Sequence, residues 1–165
     1  MSIVQVFIDE LTRESASTRR VLERVPEDKM SWKPHEKSMT LGKLAMHVAN
    51  LPRGIVEMLK DLETGPPNVP LPQATSAQQL VETLDTNVAF ATERLREWGD
   101  EGLAATWRMQ MNGKTLFELP RLAAIRTILL NHTYHHRGQL SLYLRMLDVA
   151  VPSVYGPTAD ENPFV

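Results

Sequence analysis

The sequence predicts an all-α fold: a four-helix bundle with one small β-hairpin inserted between the third and fourth helices, in a single domain spanning residues 1–165. Three observations lead there. Four segments place apolar residues at steps of three and four, the spacing that lines one face of a helix. One stretch, GPPNVPLPQATS from Gly65 to Ser76, holds four prolines and no periodicity, which marks a linker. Between the third and fourth segments the period changes, and Asn112-Gly113 interrupts alternating residues in WRMQMNGKTLFEL, a short-range hairpin signal.

The first helix is expected from about Ser2 to Arg24 on the stripe Val4, Phe7, Leu11, Thr18, Leu22 and Val25. Pro26 ends it, and Trp32-Lys33-Pro34 makes an extended connector, because a residue before proline avoids helical angles. Ser38 and Thr40 are candidate caps for a second helix with stripe Leu44, His47, Leu51, Ile55, Met58 and Leu62, ending near Thr64-Gly65 and kinked or broken at Pro52. Ser76 caps a third helix to about Trp98. The last begins near Pro120 and runs to about Asp148, ahead of the tail VPSVYGPTADENPFV.

Composition excludes several function classes. Eighteen basic and twenty acidic residues leave a charge of −2 with no basic run, so no nucleic-acid partner is expected. The first fifteen residues lack the basic and apolar regions of a signal peptide, and no segment approaches the roughly 20 apolar residues of a membrane span. No membrane partner and a cytoplasmic location are expected. The chain has no cysteine, so a transition-metal site would have to use His, Asp, Glu and water.

Three of the five histidines fall in NHTYHHRGQ, residues 131–139. His132 and His136 are four apart, so they stack on one helix face about 6 Å apart at the backbone. They share the stripe Ile125, Leu129, Leu140, Tyr143 and Leu147, and His47 occupies the equivalent inward position between Leu44 and Leu51. Three buried imidazoles need partners for their ring nitrogens, and one divalent cation (Zn, Ni, Fe or Mn) would serve all three. The alternative is hydrogen-bonded packing in the core. His135, three residues from His132, competes with His136 as the partner, but its stripe with Ile128, Leu142 and Met146 favours the rim. His35 sits in a polar connector and is expected in solvent. Thr133 stands where a zincin has its glutamate, and the paired carboxylates of a di-iron bundle are missing, which leaves a mononuclear site. Gly138 in mid-helix suggests close packing against another helix, and Arg137 and Gln139 suggest salt-bridge, capping or His-orienting roles.

His47 in LGKLAMHVANL, NHTYHHRGQL, the connector WKPHEKSMT and the tail VPSVYGPTADE together resemble the DinB-like family of bacterial four-helix-bundle proteins, which is unrelated to the DNA polymerase of that name. The likeness covers nearly the whole chain. It implies an up-down-down-up helix order, one divalent metal on the positions matching His47, His132 and His136, and frequent homodimers. The wider superfamily includes mycothiol-dependent maleylpyruvate isomerase and bacillithiol S-transferases. By that resemblance the expected activity is transfer of a low-molecular-weight thiol to a small electrophile, with Tyr143, Tyr155 and Arg137 as candidates for orienting substrate. Hydrolysis of a small ester or amide, or a non-catalytic, stress-related metal-binding bundle, are the other readings.

Overall fold

The computed structural model describes residues 2–68 and 70–165, so residue 69 of the expected linker lies outside the described residues. Helix α1, Ile3–Leu22, is opened by Ser2, whose Oγ accepts from the Gln5 amide at 3.2 Å. Asp100, from the far end of the third helix, accepts from the Ile3 and Val4 amides at 3.1 and 2.8 Å. Between them these two side chains satisfy three amides that have no partner inside the helix. Thr40 caps α2, Leu41–Met58, and Ser76 caps α3, Ala77–Ala104, each through its hydroxyl.

Helix α2 runs on through Pro52, where a break was one expectation. Proline supplies no amide, and its ring disturbs the helix ladder of the preceding turn. Asn87 braces this turn from α3, donating from Nδ2 to the Ala49 carbonyl at 3.0 Å, one residue after the Val48 carbonyl that Pro52 leaves without its helical partner, and to Asn50 Oδ1 at 3.1 Å. The helix nevertheless stops at Met58, before the expected end near Thr64. Arg121, almost fully buried, donates to the carbonyls of Leu59 and Lys60 at 3.0 and 3.2 Å and stacks on Trp98. A cation at a helix C-terminus satisfies orphan carbonyls and the helix dipole together. Leu62, expected on the helical stripe, lies beyond this cap and is exposed.

The chain then forms β1, Glu63–Thr64, which pairs in parallel with β2, Thr106–Met111; β3, Lys114–Pro120, adds antiparallel to β2. Asn112 and Gly113 both have positive φ, 52° and 74°, as a two-residue hairpin turn requires. The expected hairpin is thus present and has gained a third strand. Helix α3 kinks at Gly99, near its expected end at Trp98, with φ 56°, and continues one further turn to Ala104.

The last helix comprises α4, Arg121–Ala124, a π-helical turn at Ile125–Leu130, and α5, Asn131–Met146. Two core clusters mark the ends of the bundle. Phe7 and Leu11 of α1, Leu51 and Val56 of α2, Ala91 and Leu95 of α3, and Ile125 and Leu129 pack in one. Val21 and Leu22, Leu41 and Leu44, Leu80 and Leu84, and Leu140 and Leu144 pack in the other. Following each helix from one cluster to the other gives the up-down-down-up order. The linker must therefore retrace the bundle's length between two parallel helices, α2 and α3. No helix among the described residues is long and apolar enough to cross a membrane.

Candidate metal centre

The inward histidines sit where the two core clusters meet. His47 lies between Leu44 of one and Leu51 of the other, and His132 and His136 lie between Leu129 and Leu140. The apolar core is thus interrupted in one layer by three half-buried imidazoles. His132 Nε2 is 2.8 Å from His136 Nε2 and 3.4 Å from His47 Nε2. One donor nitrogen from each ring falls within 4.8 Å of the others.

A hydrogen bond on the far side of His136 sets which of its nitrogens is bare. His136 Nδ1 faces Gln139 Oε1 at 2.7 Å, and an amide oxygen only accepts, so Nδ1 carries the proton and Nε2 a lone pair. The His136 Nε2 lone pair then faces His132 Nε2 at 2.8 Å, where it can accept from an N–H or share a cation.

Burial pulls the His47 pKa down to about 4, helped by the His136 and His132 charges. Burial also lowers the pKa values of His132 and His136, against the opposing pull of the Ile128 carbonyl and Gln139 respectively. All three rings are neutral at pH 7, the state a metal ligand needs. Ligation at about 2.0–2.1 Å sets adjacent nitrogens roughly 3 Å apart, and the observed 2.8 and 3.4 Å fit that requirement.

The centre opens on a cleft of about 870 Å³ that is lined mainly by apolar groups, within the range of small-molecule sites. His47 and His132 stand in its wall. Opposite them are Met109, Phe117 and Leu119 of the β-sheet and prolines of the linker. The cross-strand pair Met109 and Phe117 points to this side, which places the 56% exposed Phe117 at the cleft. The sheet and linker, which interrupt the helical pattern in sequence, are therefore the second wall of the site. Asn50, one turn beyond His47, also lines the cleft; Asn87 holds its Oδ1, so its amide donors are turned outward. Helical spacing from His47 would have found Asn50, whereas the strand contribution had no signal tying it to the histidines.

The other candidate residues are placed elsewhere. Arg137 is buried on the α1 side of α5, bound to Glu14, Thr18 and Tyr155, and none of these lines the cleft. Tyr155 donates to Glu14 Oε2 at 2.7 Å. Tyr143 packs edge-on against Trp32 with ring centres 5.5 Å apart. His135 is exposed, its ring 4.8 Å from that of His136, and therefore at the rim. His35 is exposed and accepts from the Lys37 amide.

Gly138 corrects an expectation, because a Cβ there would meet nothing within 4 Å. No close helix contact requires the glycine. Gly138→Ala should stabilise the protein by about 0.5–1 kcal/mol in urea denaturation without changing metal stoichiometry. Gln139→Leu, which frees His136 to adopt the other tautomer, should weaken metal binding about tenfold or more in competition titrations with a chromophoric chelator.

Residues 10–140 match the sequence profile of the DinB superfamily. The Bacillus subtilis (strain 168) protein YrdA is 27% identical over 157 residues, covering 94% of this chain and 89% of YrdA. The crystal structure of a DinB-like protein from Bacillus cereus ATCC 10987 superposes with a TM-score of 0.70 at 25% identity, covering 93% of this chain and 98% of that one. A second DinB-like crystal structure, of YjoA from Bacillus subtilis, has a TM-score of 0.66 at 18% identity over 94% and 97% of the two chains, and speaks to the fold alone.

Proposed function

The chain belongs to the DinB superfamily, and from that premise we propose that it is a metal-dependent transferase joining a low-molecular-weight thiol to a small, largely apolar electrophile. His47, His132 and His136 hold one divalent ion in this reading. The observation that carries it is the convergence of three neutral imidazoles at the edge of an apolar cleft, with His47 and His132 in its wall. A closed structural zinc site has four protein ligands; three leave positions that face the cleft.

A bound divalent ion supplies Lewis acidity, which lowers the pKa of a thiol in an open position. The chain's own residues do the rest. Gln139 keeps the His136 Nε2 lone pair aimed inward. Met109, Phe117 and Leu119 exclude water from the electrophile, and Asn50 presents amide hydrogens to an oxygen on it. A chain without cysteine relies on its substrate for sulfur, which the thiol provides. Hydrolysis of an ester or amide at the same centre is less well supported, because the donor cluster among the described residues consists of imidazoles alone and Glu57, the carboxylate in the cleft wall, lies ten residues beyond His47, about 15 Å along the helix.

Cobalt reconstitution tests the reading. One Co²⁺ per chain should give a visible spectrum that gains a thiolate charge-transfer band on adding a small thiol, followed by conjugation of a bimane or dinitrobenzene electrophile. Less than about a tenth of an ion per chain at neutral pH, where the imidazoles are free to ligate, sinks it. Cobalt binding with ester turnover and no thiol band would instead select the hydrolase.

A further inference from the structure

One cation in the cleft has no ion-pair partner among the described residues. Arg53 lines the cleft from α2, six residues past His47 and so about 9 Å along the helix axis. Its guanidinium carbon lies 4.4 Å from the centre of the Phe90 ring. Stacking fixes the plane of the group and leaves its N–H edges available. The charges around it are already matched: Glu57, the acid in the same wall, is 3.8 Å from Lys60, and Arg94, the second cation near Phe90, pairs with Glu97 at 2.6 Å. Among the described residues no carboxylate pairs with Arg53 within salt-bridge distance. An exposed guanidinium held in place by a ring, at the edge of an apolar cleft, is arranged to receive an anion from outside.

We propose that the cleft selects a monoanionic, mostly apolar substrate, a medium-chain or arylalkyl carboxylate, gripped by Arg53 with its other end reaching the histidines. The apolar walls formed by Met109, Phe117 and Leu119 take the body of the molecule. A single guanidinium with Glu57 in the same wall suits one negative charge better than the two of a phosphate monoester. The orientation rests on the transferase reading, since it places the reacting end at the three imidazoles. The grip on the carboxylate does not need the ion.

The test is calorimetric titration of the metal-free full-length protein with octanoate, its neutral isostere octanamide, and octyl phosphate. Working without metal prevents the carboxylate from binding an ion instead of Arg53. Octanoate should bind about five- to tenfold more tightly than octanamide, as expected for one charge-assisted contact at a partly exposed site. Arg53→Gln should bring the two within twofold, and Arg53→Lys should keep only part of the preference. His132→Ala should leave the preference intact. Equal affinities in the wild type, a preference that survives Arg53→Gln, no binding of either ligand at millimolar concentration, or octyl phosphate binding more than tenfold tighter than octanoate would each overturn the assignment. A protein that takes up no metal yet shows the Arg53-dependent preference would remove the transferase reading and leave this one standing.

Discussion

His132→Ala is expected to lower divalent-metal affinity on the order of a thousandfold while leaving the metal-free fold within about 1 kcal/mol of the wild type. His132 is the shared member of the cluster, 2.8 Å from His136 and 3.4 Å from His47. Its removal leaves one imidazole on α2 and one on α5 with no donor between them. In the wild type, metal at a hundredfold excess over its dissociation constant should add about 2.7 kcal/mol, a rise of roughly 5–10 °C in melting temperature. The variant at the same concentration should shift by less than about 1 °C. The metal-free comparison separates ligation from packing. Removing a core side chain that serves only to fill space costs about 2–5 kcal/mol, whereas removing a half-buried polar ring also relieves the cost of desolvating it. A metal-free His132→Ala protein destabilised by more than about 3 kcal/mol would make the histidines core residues first.

The meeting of His47 with His132 and His136 was legible because a helical stripe is a local property. Leu44, His47 and Leu51 state by spacing alone which side of α2 is inward, and Leu129, His132, His136 and Leu140 do the same for the last helix. Two inward stripes in a small bundle have few ways to avoid each other. What escaped the sequence depends on residues distant along the chain. The stripe through Leu62 was a fair helical pattern, but Arg121, some sixty positions later, takes the Leu59 and Lys60 carbonyls and ends α2 there. The π-helical turn at Ile125–Leu130, which ends two residues before His132, has no periodic signature distinct from an α-helix. The cleft's second wall comes from strands whose alternation shows one face to be apolar without showing which helix it covers.

Arg137→Met is expected to destabilise the protein by about 3 kcal/mol in urea and to leave metal stoichiometry at one ion per chain, with affinity changed less than about threefold. The Arg137 side chain is 3% exposed and Glu14, its partner at 2.7 Å, is 16% exposed. Arg137 also donates to the Glu14 carbonyl at 3.0 Å and to Thr18 Oγ1 at 3.2 Å, and its guanidinium stacks near the Tyr134 and Tyr155 rings at 5.4 and 5.1 Å. Methionine keeps much of the length and apolar bulk. What it removes is the cation, leaving a mostly buried carboxylate with the Tyr155 hydroxyl as its remaining side-chain partner. An uncompensated buried charge accounts for the size of the loss, so adding Glu14→Gln to Arg137→Met should recover a measurable part of it. Tyr155→Phe, which deletes the hydrogen bond to Glu14 and the one accepted from Arg137, should cost about 1–2 kcal/mol. These residues tie the C-terminal tail and α5 to α1, on the side of α5 away from His47. Were Arg137 or Tyr155 to orient substrate, Tyr155→Phe would reduce turnover with stability unchanged; the geometry predicts stability reduced with turnover unchanged, and one set of denaturation and activity measurements decides between them.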